Sequence, residues 1–285
     1  MSEHAHMNAT SRVAIAGKTR PPSREIVHEI DDLDLAEFTG VAATFGQDRY
    51  GFVVTPNVDH LIRYHEDAAF RALYNSADFV LLDSRVAALL LRTLRGIHLR
   101  VCTGSDLTVV LLSQVIAPKD RVVLIGGTET QAKDLVARFG LENVRHHNPP
   151  MGFIKDPAAV DKCVQFIESV SPFRFCFLAL GSPQQEVVAQ CLMERGTARG
   201  LTLCVGAALN FVTGAEVRAP RWVQRIALEW LYRLLQDPRR LARRYLVRGP
   251  RIFKHLRKAH FVLRAHPSVT SKATLRGLLD DTPSS

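Results

Sequence analysis

At 285 residues, with 47% hydrophobic and 23% charged side chains, the chain has ordinary globular composition, which excludes a disordered or fibrous protein. Its net charge of +9 is unevenly placed: residues 218–264 hold fourteen Lys or Arg against only Glu229 and Asp237, so the remainder is mildly acidic and an anionic partner should meet the C-terminal end. No apolar run approaches the roughly 20 residues of a membrane-spanning helix, the first 25 residues lack a signal-peptide core, and the cysteines show no C-x-x-C spacing, which together predict a cytoplasmic chain with buried, reduced thiols.

Residues 1–25 are polar, include Pro21-Pro22, and read as a flexible tail. "DDLD" at 31–34 contains the D-x-D of metal-dependent sugar-nucleotide enzymes, but its place before "LAEF" reads as a helix start. Beyond it, short apolar runs alternate with amphipathic segments. "GFVVTPN" is a strand ending at a turn, followed by a helix over 58–76; "DFVLLD" is a strand, followed by helices near 86–94 and 105–116. "RVVLIGG" is the clearest buried strand, with Thr128 as cap of the next helix. "NVRHHNPP", "FRFCFLALG" and "LTLCVG" supply further strands, with helices over 157–170 and 183–195 between them. Helix-separated strands predict an α/β fold, a Rossmann-like and mostly parallel sheet flanked by helices. From Ala219 the pattern reads as all helical, broken at Pro238 and Pro250. The expected organisation is a tail over 1–25, an α/β domain over 26–217, a basic helical appendage over 218–264, and a frayed tail over 265–285.

Ligands of such sheets sit beyond the C-terminal ends of the strands, so the polar residues there are the candidates. Thr55 and Asn57 follow the first clear strand, with Asp59 and His60 opening the helix, and they fit a helix cap as well as a pocket. Asp83 is placed equally well for a general base and for a cap. The adjacent Arg85 would lower its pKa if the two side chains met. Gly126 and Gly127 suit amides cradling a phosphate, but also a turn that needs glycine for steric reasons. Neither a dinucleotide fingerprint nor a P-loop is present. Gln184, Gln185 and Glu186 fit sugar or base recognition, or a solvated first turn. His146-His147 lacks partners at a ligand spacing, and no metal or cofactor is expected.

In the basic stretch Trp222, Val223, Ile226, Ala227, Trp230, Leu231, Leu234 and Leu235 recur at helical spacing and define one apolar face. Glu229 lies four residues from both Arg225 and Arg233, a spacing that permits ion pairs. The stretch is compatible with a solvated basic helix, an anionic membrane surface, or a non-enzymatic nucleic-acid-binding protein with a basic tail; the last lacks any reading motif.

"TPNVDHL" (55–61), Asp83, "TGSDL" (103–107), "LIGG" (124–127), "PPMGF" (149–153), "GSPQQE" (181–186), "VGAALNFVTGAEVRAPRW" (205–222) and "LEWLYRLLQDPRRLARRYL" (228–246) together resemble the WecB/TagA/CpsF glycosyltransferases, glycosyltransferase family 26. The resemblance implies metal-independent, inverting transfer of a sugar from a UDP-sugar to a polyprenyl-diphosphate-linked sugar at the inner face of the cell membrane. It implies Asp83 as base, Thr55 and Asn57 in the acceptor pocket, and Gln185 within G-x-P-x-Q-E. Asp59, Gly104, Asp106, Gly126, Gly127, Glu186 and Gly206 are expected to bind substrate, together with Arg218, Arg233, Arg243 and Arg244 from the basic segment. Ser84-Arg85 stands where that family often has glycine after the Asp. No nucleic-acid partner is expected.

Overall fold

The computed structural model describes residues 11–15 and 26–265. The chain forms strands β1 (Ser11–Ile15) and β2 (Val27–Asp31), then β3 (Tyr50–Val54), β4 (Phe79–Val80), β5 (Val122–Ile125), β6 (Val144–His147), β7 (Phe175–Leu178) and β8 (Gly200–Cys204), and closes on β9 (His260–Ala265). Six of them make one sheet in the order β4-β3-β8-β7-β5-β6, with every neighbouring pair parallel. The other sheet is β1-β9-β2, in which β9 runs parallel to β2 and antiparallel to β1.

A parallel sheet must be covered on both faces, and the continuous apolar runs of its strands are what that burial requires. Side chains alternate between two packed layers: Phe52, Val54, Val123, Ile125 and Cys176 feed one, while Val53, Val122, Leu124, Phe175 and Phe177 feed the other. Helix α1 (Leu35–Thr44) covers the second layer through Phe38 and Ala42, while α2 (Val58–Glu66) covers the first through Leu61 and Ile62. This is the expected α/β architecture of a mostly parallel sheet between helices.

Several boundaries differ from the sequence reading. The helix expected over 58–76 is two helices, because Asp67 takes an extended conformation and its carboxylate caps α3 (Ala68–Asn75) through the amides of Ala69 and Phe70. The helix expected over 105–116 begins one residue earlier as α5 (Gly104–Val110) and then widens into a π-type turn at Leu111–Val115. "DDLD" is divided: Asp31 ends β2 and accepts from the Val80 amide at 2.5 Å, tying the two sheets together, while Asp34 caps α1 in a capping box with Glu37.

The C-terminal region is not helical throughout. After α10 (Arg221–Arg225), α11 (Glu229–Gln236), α12 (Pro238–Ala242), a π-type turn over Arg243–Arg248 and α13 (Arg251–Lys258), the chain returns as β9. The six-residue run "HFVLRA" was masked by the long basic pattern before it, but Phe261 stacks on His28 with ring centroids 4.9 Å apart and Leu263 packs on the core. Residues 11–15, read as tail, add β1 to β9; residues 1–10, 16–25 and 266–285 lie outside the described residues.

The apolar stripe is also divided. Ala227 takes φ 59 and stops α10 from running into α11, so Val223 is buried whereas Trp222, Ile226 and Leu235 are exposed. The same break removes the spacing on which an Arg225–Glu229 pair depended, and Arg233 turns to Glu216 at 3.7 Å instead. Among the described residues no helix is long and apolar enough to cross a membrane.

Candidate active site

A cavity of about 350 Å³ opens beyond the C-terminal ends of β3 and β4, a size within the range of roughly 300–1,000 Å³ typical of small-ligand sites. One wall comes from the α/β body through Asn57, Asp59, Asp83, Arg85 and Thr103. The facing wall comes from the C-terminal helices through Gln224, Glu229, Trp230, Arg233, Arg244 and Tyr245.

Asp83 sits three residues past the end of β4, its amide fixed to the Pro56 carbonyl at 2.9 Å. The helix cap falls one residue later. Ser84 caps α4 (Arg85–Arg95) by accepting from the Ala87 amide at 3.1 Å, which leaves the Asp83 carboxyl to the cavity. Burial pushes that carboxyl up to about 7; the Gly104 amide and the Arg218 charge pull it down, while Glu229 and Asp106 add to the rise. The balancing cation is Arg218, not Arg85, whose charge acts on Asp106. A Cβ on Gly104 would come 3.1 Å from Thr55 Oγ1 and 3.6 Å from Asp83 Oδ2. Glycine therefore keeps the α5 terminus close to the carboxyl.

Two clamps flank Asp83. Asn57 caps α2, accepting from the Asp59 and His60 amides at 3.0 and 3.3 Å, and also accepts from Arg244 Nη2 at 3.2 Å. Asn57 is thus both a helix cap and part of the cavity wall. Burial alone would raise the Asp59 carboxyl, but Arg244 and Arg63 hold it below its ordinary value, Arg63 by direct contact at 2.6 Å. On the other side Arg218 grips Asp106 with both terminal nitrogens, and Asp106 also accepts from Thr103 Oγ1 at 2.7 Å. The Nε atoms of Arg218 and Arg244 are buried and lack a hydrogen-bond partner among the described residues. A buried cationic donor left open in this way fits an anionic ligand group. Arg233 lines the cavity as well, packed over the Phe211 ring at 5.3 Å, whereas Arg243 is exposed and away from it.

Other candidates lie beneath the cavity. Thr55 is buried and donates to the Cys204 carbonyl at 3.3 Å. Gln185 accepts from the Gly206 amide at 2.9 Å and donates to Glu186 at 3.1 Å. Glu186 in turn accepts from Tyr74 at 3.4 Å, and the Tyr74 oxygen meets His60 Nδ1 at 2.8 Å. Burial pushes the Glu186 carboxyl up and holds the His60 imidazole down to about 3, which keeps the histidine neutral. This hydrogen-bonded chain joins the "TPNVDHL" and "GSPQQE" segments and holds the strand ends in register. Gln185, Glu186 and Gly206 do not line the cavity; they brace its floor.

Gly126 and Gly127 also lie outside it, and their geometry matches the steric reading. Gly126 has φ 91, and a Cβ there would meet the Ala179 carbonyl oxygen at 2.6 Å; one on Gly127 would meet Leu209 at 2.5 Å. The Gly126→Ala protein is expected to lose at least about 2 kcal/mol of stability, from left-handed strain plus overpacking against backbone, measured by urea unfolding. An unchanged midpoint would show that the turn tolerates a side chain.

Trp230, Tyr245, Gln224 and Glu229 were not singled out as site residues by sequence. Trp230 was read only as part of the apolar face and Glu229 only at ion-pair spacing, while Gln224 and Tyr245 carried no signal beyond their place in the basic segment; all four line the cavity.

The curated relatives include the N-acetylglucosaminyldiphosphoundecaprenol N-acetyl-beta-D-mannosaminyltransferase of Bacillus spizizenii, 30% identical over 233 residues that cover 76% of this chain and 85% of that protein. A family model described as glycosyl transferase WecG/TagA/CpsF matches residues 26–266, from the start of β2 to the end of β9, and therefore spans both walls of the cavity. With the motifs in order along the chain and the match covering most of it, the protein belongs to the WecG/TagA/CpsF family of glycosyl transferases.

Proposed function

We propose that this glycosyltransferase moves a sugar from a UDP-sugar to a sugar carried on a polyprenyl diphosphate, inverting the anomeric centre, with Asp83 as base. The observation that carries the reading is the Asp83 carboxyl, raised to about 7 in a cavity that it shares with Arg244. An acceptor hydroxyl forms the new bond to the anomeric carbon and its proton passes to Asp83, while the bond to the nucleotide breaks and the leaving diphosphate keeps the electron pair. Arg244 and Arg233 from the helical wall are the groups placed to meet that charge, as fixed cations in a partly dry site. By analogy with the relative, the transferred sugar is N-acetylmannosamine or a close hexose, and the acceptor is polyprenyl-diphosphate-linked N-acetylglucosamine.

Such an acceptor requires the protein to work at a membrane surface. Trp222, Ile226, Leu235, Leu246, Val247 and Phe253 are exposed on the C-terminal segment among its arginines, the combination of apolar and basic groups that favours an anionic bilayer. The reading is tested by incubating the full chain with the lipid-linked acceptor and a panel of UDP-sugars, with mass spectrometry of the lipid. One UDP-sugar should add the mass of one sugar residue; no addition from any would remove the reading.

A further inference from the structure

The C-terminal segment contains two acids among its cations, and they are used differently. Asp237 caps α12 and pairs with Arg240 at 2.6 Å. The Glu229 side chain makes no hydrogen bond or ion pair with a protein group among the described residues, although arginines stand four positions away on either side. It lines the cavity instead, opposite Asp83, and its charge acts across that space on Asp83 and Arg218. A carboxylate surrounded by guanidinium groups yet paired with none is held there by the backbone. That backbone includes Ala227, whose left-handed conformation at φ 59 is unfavourable for an alanine and separates α10 from α11. Strain of this kind tends to persist where function requires it.

The neighbours of Glu229 fit a sugar. Trp230 and Tyr245 line the cavity beside it and meet edge to face, ring centroids 6.0 Å apart, an aromatic wall that can pack on the C–H face of a pyranose ring. A carboxylate above such a wall accepts hydrogen bonds from hydroxyl or amide N–H groups. The carboxylate opposite, Asp83, needs one hydroxyl of the same ring presented to it.

We propose that Glu229 is a positioning residue for the acceptor sugar: it accepts a hydrogen bond from one polar group of the ring while Asp83 takes the proton from another, so that the two carboxylates grip the sugar from opposite walls. This rests on the glycosyl-transfer reading above and adds the residue that orients the acceptor. Two consequences follow from the geometry. The donor diphosphate belongs to the arginines, so loss of Glu229 should weaken acceptor binding and spare donor binding. Glu229 is also the negative charge that does most to keep Asp83 protonated, so its neutralisation should make Asp83 easier to ionise.

The test uses full-length wild type and Glu229→Gln, with initial rates against acceptor at saturating UDP-sugar, against UDP-sugar at saturating acceptor, and across pH 5.5–9, beside thermal melts. The expected result for Glu229→Gln is an acceptor KM raised roughly ten-fold or more with donor KM within about two-fold. The acid limb of kcat/KM should move to lower pH. A variant that melts like wild type with both KM values and the acid limb unmoved would overturn the proposal. So would a fall in kcat alone that tracks lost thermal stability. Wild type that makes no product with any donor would instead remove the underlying reading of transfer, a result distinct from either.

Discussion

Asp83→Asn is expected to lose transfer by roughly 10²–10⁴-fold, the range a positioned general base supplies, while the folded protein becomes more stable at pH 8. Asparagine keeps the shape and can still accept from the Gly104 amide, but it takes no proton from the acceptor. The stability gain follows from the environment of the carboxyl. Moved by burial from 3.8 to about 7, it is ionised at pH 8 at a penalty of up to about 4 kcal/mol, reduced by cavity water to a recoverable gain of roughly 1–3 kcal/mol. The sign is fixed by where each state binds its proton. The unfolded carboxyl ionises near 3.8 and the folded one near 7, so the penalty is complete above pH 7 and fades as pH falls toward 4. The melting-temperature advantage of Asp83→Asn should therefore be largest in alkali and vanish in acid. Wild-type kcat/KM should fall below about pH 7 as Asp83 takes up its proton. Near-normal turnover by the variant would end the assignment of the base; an unchanged melting temperature at every pH would show that the carboxyl is better solvated than its surroundings indicate.

The second large effect is expected at Arg244. Its Nη2 donates to Asn57, its Nε is buried without a partner among the described residues, and its charge is the leading attraction holding the Asp59 carboxyl down. In the proposed reaction it meets the diphosphate, where one charged donor in a partly dry site is worth about 2.7–4 kcal/mol. Arg244→Gln should then reduce kcat/KM by roughly 10²–10³-fold, with the melting temperature nearly unchanged because little of the fold depends on one 3.2 Å bond to Asn57. Arg244→Lys keeps the charge but loses the planar fork, and an intermediate rate is expected. Steady-state kinetics with varied UDP-sugar checks both. Full activity in Arg244→Gln would assign the diphosphate to other cations.

Much of this was legible in the sequence because parallel strands buried on both faces leave continuous apolar runs, as "RVVLIGG" and "FRFCFLALG" do. Asp83 was legible as a candidate for two roles, since a base and a cap occupy the same place after a strand; that Ser84 supplies the cap shows only in three dimensions. Motif spacing marked Gln185 and Glu186 as important without saying to which side of the backbone they turn, and they turn inward, to Tyr74 and Gly206. The pairing of β9 with β1 and β2 joins segments at opposite ends of the chain, a relation that local periodicity does not carry.

That pairing changes what the basic helices are. An arm would be free at its far end, and deleting everything after residue 220 would then remove it cleanly. Here the chain re-enters the body through β9, the central strand of its sheet, so the helices form a closed loop anchored at both ends, and the deletion would also strip β2 and β1 of their shared partner. Closing that loop is an entropic cost met once, during folding. Arg233 and Arg244 are thereby kept at high effective concentration beside Asp83. In the proposed reaction, contact with a bilayer would then have only to deliver the acceptor to a site whose facing wall is already in place.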